Sequence, residues 1–302
     1  MSPLYIVIPL SILSIVIVLF NIAVCCLVCC NKKLRTFTNG FIVSLAISDI
    51  MVGAILFPCY LTNPFGTAEF IGYIVSIILL AGVSNLCTVT YDRYLALSHP
   101  LTYKYRVSKI FVRAIIASWT IPIIYSLLPL IWSTDMKLPI HKIYIIGLQV
   151  FGVMIPYILI IIAYIRIYVK VKRSLKRRRK FSMNSLQHSK QERRRVSSEV
   201  KVAKVFSIVA ASFILCWIPV IYITTADQIL NKQSLIPEPL GSVSLFTVAF
   251  SSLVNPLLYS FMKPDFYQVI SKALRSCITP MGRGNEQTIA LSPISVCTEN
   301  NS

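Results

Sequence analysis

The chain reads as an all-α membrane protein: a seven-transmembrane helix bundle with a short amphipathic eighth helix. Three observations predict this. The 302 residues are 56% hydrophobic and only 14% charged, too little charge to cover a soluble domain. The apolar residues gather into seven stretches, each about the roughly 20 residues needed to cross a bilayer core. The Lys and Arg residues crowd into alternate links between those stretches, the bias that sets membrane topology.

The spans are expected at about residues 4–30, 38–61, 69–95, 110–132, 143–171, 200–226 and 240–262. Each is too long and too continuously apolar for a strand, and the alternation of a barrel is missing. The first runs from about Leu4 to Cys30, longer than a removable signal core, so it reads as a retained signal anchor. The first link carries Lys32, Lys33 and Arg35, and the third Lys104, Arg106 and Lys109. The fifth, from Arg166 to Lys204, contains Lys176-Arg177-Arg178-Arg179-Lys180 and Arg193-Arg194-Arg195. The opposite links hold only Lys137, Lys142 and Lys232. The odd links are therefore cytoplasmic, the N-terminus extracellular and the C-terminus cytoplasmic.

After the seventh span, Phe266, Val269, Ile270 and Leu274 recur at helical spacing with Lys272 and Arg275 among them. This predicts a surface helix over 263–276 lying along the membrane. Cys277 at its end is either palmitoylated or a free thiol. Residues 1–276 form one domain, and 277–302 a flexible cytoplasmic tail. The net charge of +19 does not indicate nucleic acid, because the basic residues sit between apolar spans. Nine cysteines, at 25, 26, 29, 30, 59, 87, 216, 277 and 297, lie in spans or on the cytoplasmic side, so no extracellular disulfide framework is expected.

Ionisable groups inside spans are costly and mark function by default. Here they are few: Asp49 within the second span, and Asp92 and Arg93 at the end of the third. Asn21 and Asn255 lie within the first and seventh. Pro122, Pro156, Pro219 and Pro256 each remove a backbone donor inside a span and favour a kink. A bundle with several hinges suits a protein that switches.

At these residues the chain resembles the class A, rhodopsin-like G-protein-coupled receptors, across all seven spans. Asn21 matches the first-span Asn, and Ser44-Leu45-Ala46-Ile47-Ser48-Asp49 the second-span motif. Asp92-Arg93-Tyr94 is similar to the DRY triplet and is followed by His99-Pro100-Leu101. Trp119 fits the fourth span, and Pro156 and Tyr164 the fifth. Cys216-Trp217-Ile218-Pro219 resembles CWxP, and Asn255-Pro256-Leu257-Leu258-Tyr259 resembles NPxxY.

The resemblance implies roles. Arg93 would pair with Asp92 and, at rest, with Glu199 at the inner end of the sixth span; the alternative is that Glu199 balances Lys201 and Lys204. Breaking that lock would let the sixth helix swing outward and admit a heterotrimeric G protein. Tyr164 and Tyr259 would turn inward on activation, and Trp217 would form the pocket floor. Pro156, Val83 and Phe213 match the packed trio between pocket and hinge. Asp49, Asn255, Ser251 and Ser252 resemble the family's sodium site, as an allosteric modulator, although Gly82 stands where a hydroxyl is usual.

Positions matching the ligand pocket are mostly apolar: Val75, Leu79, Leu148, Val220, Ile221, Leu245 and Ala249, with Trp217 below. Ser76, Thr224 and Tyr222 add neutral polar groups. Val75 replaces the Asp of amine receptors, so the expected ligand is a small molecule or lipid without a buried cation. Ala249 replaces the lysine of opsins, which argues against a covalent retinal sensor. The nearest pattern is that of adenosine and amine receptors, yet Thr224 and Ala249 stand at the purine-binding Asn and the seventh-span His. The disulfide that clips the third helix to the second outer loop in most of the family is missing: its position is Ala68, and 132–142 holds no Cys.

The expected function is ligand-driven nucleotide exchange on a G protein at the plasma membrane. The alternatives are a constitutively active orphan receptor or a small-solute transporter, which would place more polar groups through its core. The three histidines, His99, His141 and His188, fall in links and form no catalytic constellation. The basic fifth link can meet anionic lipid or the G protein. Within it, Arg194-Arg195-Val196-Ser197 and Arg179-Lys180-Phe181-Ser182 resemble basophilic kinase sites.

Overall fold

The computed structural model describes residues 4–62, 68–135, 138–181 and 207–278. Seven of its helices are long and apolar enough to cross a membrane. They are α1 (Leu4–Cys30), α2 (Phe37–Cys59), α3 (Phe70–Ser98), α4 (Tyr103–Trp132), α5 (Pro139–Lys170), α6 (Ser207–Ile229) and α7 (Glu238–Ser260). A further helix, α8 (Pro264–Ile278), follows directly. No strand occurs among the described residues.

The expected spans match these helices, but several helix ends run further. An apolar run marks the hydrocarbon core, whereas a helix continues into the interface as long as its sequence permits. So α4 begins at Tyr103, well before residue 110. Helix α5 begins at Pro139, where proline's fixed φ suits a first turn. His141 and Lys142, assigned above to an outer link, therefore belong to α5, and His141 is buried. The start of the sixth span at 200–206, the basic segment 182–206 with Glu199 and the kinase-like sites, and the tail 279–302 lie outside the described residues.

Proline shapes the interior of two spans by an unexpected route. Residues Val52–Leu56 and Leu148–Met154 are π-helical. Pro58 and Pro156 follow them, and the carbonyl that each proline ring would meet in an α-helix, at Ala54 or Gly152, falls inside the widened turn. A π segment absorbs this clash without ending the helix. A third widened turn, Thr225–Ile229, closes the C-terminal end of α6.

The bundle is centred on α3, which packs against α2, α4 and α5, while α1 lies between α2 and α7 and α8 folds back on α7. The core runs through Ile42, Leu45, Leu86, Val89, Phe213 and Tyr259. The outward faces are as apolar as the core: Ile12 and Leu19 on α1, Ile116 and Ile124 on α4, and Phe151 and Leu159 on α5 are all exposed. Soluble monomers rarely expose contiguous apolar surface on this scale. The buried polar groups instead face one another inside, as a hydrocarbon surround demands.

Candidate functional site

The start of α2, the end of α3 and the start of α4 converge on one carboxylate. Asp92 is buried, and both its oxygens are engaged. Tyr103 Oη donates to Oδ1 at 2.7 Å. Thr38 Oγ1 donates to Oδ2 at 2.8 Å. Arg93 donates to Oδ2 through Nε at 3.0 Å and forms an ion pair at 2.5 Å. The Arg93 guanidinium also reaches Thr38 Oγ1. The sequence builds this locally. Thr36 caps α2, its hydroxyl accepting from Asn39 N at 3.2 Å, which fixes Thr38 in the first turn. The tight link through His99 and Thr102 returns α4 beside α3, so that Tyr103 meets Asp92. Four charge-assisted bonds on one buried anion offset its desolvation.

Beside it lies a second ionic group. Lys263, between α7 and α8, is buried. Its ammonium donates to Asn39 Oδ1 and pairs with Asp265 Oδ2 at 2.8 Å. Asn39 Nδ2 donates to the Leu34 carbonyl at 2.7 Å. Burial pushes the Lys263 ammonium down to about 8, against the pull of Asp265. Burial alone would raise the Asp265 carboxyl, but Lys263 and Asn39 hold it below the usual carboxylate range. The sequence places Lys263 only at the edge of a surface helix. Its fully buried neighbour Phe266, 4.8 Å from the ammonium, belongs instead to the core contact of α8.

Midway through the bundle, Asn255 Nδ2 donates to Asp49 Oδ2 at 2.8 Å. Asn21 Nδ2 donates to the Ser252 carbonyl at 3.3 Å. Asp49, Gly82, Ser251, Ser252 and Trp217 line a small cavity of about 10 Å³, about the least that holds one water. Asn255 Oδ1 is buried without a hydrogen-bond partner. The four residues named for sodium thus come together. Their oxygens are the donor type a hard cation takes, with Gly82 contributing none.

A fourth polar centre carries no motif in the sequence. Asn85 Oδ1 accepts from Ser44 Oγ at 2.6 Å and from Ser118 Oγ at 3.1 Å. Trp119 Nε1 donates to Ser44 Oγ at 3.0 Å. This ties α2, α3 and α4. The signal was present as a lone amide within an apolar span.

Above the cavity, Trp217 stacks on Phe213 at 5.7 Å between centroids and meets Tyr157 edge-on at 6.1 Å. Val83, Phe213, Trp217, Tyr164 and Tyr259 are all buried in one cluster. Of the residues expected to line a ligand pocket, Val75, Leu79, Val220, Leu245 and Ala249 belong to one packed cluster with Ile78 and Val248. Leu148 and Ile221 join the cluster that holds Trp217. Ser76 is half-buried. The Thr224 hydroxyl is taken up by the Val220 carbonyl at 2.9 Å. Tyr222 does not add to this pocket: it is exposed, and its hydroxyl donates to the Leu235 carbonyl at 2.9 Å. Next to Leu148 in sequence, the Gln149 amide donates to the Ile221 carbonyl at 3.2 Å and to Thr225 Oγ1 at 3.1 Å. It links two π-helical turns.

The sequence also matches known proteins. Residues 20–259 match the family model of the 7 transmembrane receptor (rhodopsin family). The human adenosine receptor A2a is 27% identical, over 91% of this chain and 73% of its own length. The human 5-hydroxytryptamine receptor 4 is 29% identical, over 86% and 77%. The Bos taurus adenosine receptor A2b is 26% identical, over 90% and 91%. These relatives are receptors and not enzymes. The chain belongs to the rhodopsin family of seven-transmembrane receptors.

Proposed function

We propose that this receptor transmits an extracellular ligand signal to a heterotrimeric G protein by outward movement of α6. The observation that carries this reading is the inner lattice of Asp92, Arg93, Thr38 and Tyr103. An Arg folded onto a saturated carboxylate is a latch that a partner can compete for, and its release exposes the inner ends of the helices. Glu199 completes the latch from the α6 side in the resting state. Tyr164, Tyr259, Pro219 and Pro256 serve the swing, and Tyr94 flanks the latch. Residues Val75, Ser76, Leu79, Leu148, Trp217, Val220, Ile221, Thr224, Leu245 and Ala249 form the ligand pocket. Its apolar lining supports a neutral or lipophilic small molecule over a monoamine, since a buried cation without a counter-ion is costly.

The receptor sits in the plasma membrane with its basic links in the cytosol and α8 along the inner leaflet, where Cys277 is available for acylation. The decisive experiment compares basal and ligand-stimulated cyclic-nucleotide and calcium signals with those of Arg93→Ala. A signal that vanishes in the variant supports the reading. A signal that persists unchanged at equal surface expression refutes it. Reporter tags on each terminus, read on intact cells, test the orientation. Sodium binds beside Asp49, and Asp49→Asn is expected to abolish any sodium-specific rise in thermal stability relative to potassium. A rise that survives the substitution would put the ion elsewhere.

A further inference from the structure

A further cavity borders the Asp92 and Lys263 groups, with Thr38, Arg93, Tyr103, Lys263 and Asp265 in its wall. It measures about 1020 Å³ and opens at the inner ends of α1, α2, α4 and α8. Its apolar wall is Val28 of α1, Phe37 and Val43 of α2, and Phe111 of α4. Phe111 lies across Gly40, where an added Cβ would come within 2.5 Å of its ring. Phe37 and Val43 of α2 are half-buried, and Phe37 and the buried Phe41 both pack on Phe111, at 5.3 and 5.0 Å between ring centroids. The slot between α1 and α4 is thus bounded by side chains suited to hydrocarbon.

Its polar rim is predominantly basic. The lining contains Arg35, Arg93, Lys104 and Lys263 against the single acid Asp265. Lys263 pairs with Asp265, and Arg93 pairs with Asp92. Arg35 and Lys104 remain as the exposed basic pair at the mouth. Arg35 is steadied by its Nε bond to the Cys29 carbonyl at 3.2 Å. The first residues of α2, α4 and α8 also line the cavity, and helix starts add to the positive potential.

We infer that this cavity is a binding site for one anionic glycerophospholipid, its headgroup phosphate between Arg35 and Lys104 and one acyl chain against Val28, Val43 and Phe111. Charge complementarity selects the headgroup, and the apolar slot excludes a purely soluble anion. The bound lipid rests against Thr38, Tyr103 and Arg93, so it adjoins the latch. The inference rests on the proposed orientation, which puts this mouth at the anionic leaflet.

The test uses the purified full chain and native mass spectrometry, with phosphatidylserine and phosphatidylcholine as probes. Phosphatidylserine is expected to be retained in preference to phosphatidylcholine. Each basic side chain near an anionic headgroup contributes roughly fivefold, so Arg35→Gln with Lys104→Gln lowers the apparent affinity about thirtyfold. Lys32→Gln with Lys33→Gln removes the same charge from the same face, outside the cavity, and leaves retention intact. Val43→Trp keeps every charge, fills the slot and also releases the lipid. Equal losses in the two charge variants would reduce the effect to surface attraction and overturn the site. So would equal retention of phosphatidylcholine, unaltered binding in Val43→Trp, or displacement of the lipid by inorganic phosphate at matched concentration. No G protein enters this measurement, so a silent receptor leaves it valid, and lost lipid binding leaves the signalling reading standing.

Discussion

Tyr103→Phe is the sharpest perturbation of the latch. It removes one hydroxyl and keeps the ring. The lost bond is a 2.7 Å donation to a buried carboxylate, and hydrogen bonds to charged groups are worth about 1.5–3 kcal/mol. At 1.36 kcal/mol per tenfold, the resting form loses about tenfold to a hundredfold of its advantage. Where resting molecules greatly outnumber active ones, ligand-independent signalling rises by the same factor. The assay is basal nucleotide exchange in membranes, normalised to surface receptor. Thr38→Val removes the neighbouring donor at 2.8 Å and gives a rise of similar size. Because both act on one carboxylate, the double variant exceeds neither by the product of the two effects. Unchanged basal exchange in Tyr103→Phe, with normal expression, would show that Asp92 does not hold the resting state and would refute the reasoning.

Other consequences follow from the same geometry. Glu199→Ala raises ligand-independent signalling, and unaltered basal activity would count against its part in the latch. Asn85→Ala takes the acceptor from the buried Ser44 hydroxyl and one of two from Ser118 at the α2–α3–α4 junction, at a cost of about 1–3 kcal/mol; a thermal melt indistinguishable from the parent would contradict it. Lys263 titrates at about 8 when folded, against 10.5 ordinarily. Between those values the unfolded chain binds more protons, so stability rises with pH across that window and is lowest below it. Lys263→Leu should flatten this rise in a pH series of melting temperatures, and a rise that persists would assign it to other groups.

The seven spans were legible because hydrocarbon imposes a length and composition that no packing detail can disguise. The inner latch was half legible. Asp92 and Arg93 stand out as charges in an apolar run, but Thr38 and Tyr103 are ordinary polar residues at helix starts, and only the packing of α2 on α3 and the folded link His99–Thr102 bring them to the carboxylate. Lys263 was illegible for a different reason. At the foot of a span a Lys normally snorkels to the interface, and its burial depends on α8 folding back so that Phe266 covers it. The π-helical turns were also hidden, because proline announces a kink without specifying how the chain will relieve it. Gln149 gained its role only through such a turn, which directs its amide toward Thr225.

The outer end shows how a fold replaces a bond that its sequence lacks. Ala68 stands where most of the family carries the cysteine of its loop clip, yet the loop after α4 is pinned. Ser133 and Thr134 both hold φ of 54°, a conformation costing of order 1–3 kcal/mol each for residues with a Cβ. Strain of this kind persists only where the surroundings over-determine it. Here Thr134 N donates to the Pro129 carbonyl at 2.9 Å and Ser133 N to Leu130 at 3.2 Å. The Tyr73 hydroxyl of α3 meets Thr134 Oγ1, the same helix-to-loop connection that the disulfide makes elsewhere. Trp132 Nε1 donates to His141 Nδ1 at 3.3 Å, and both rings pack edgewise or tilted on Tyr144. A clip made of hydrogen bonds and ring contacts opens at a cost of a few kcal/mol, whereas a disulfide does not open without a reductant. The residues Ser133–Asp135 after α4 are therefore held by contacts that can part without a reductant.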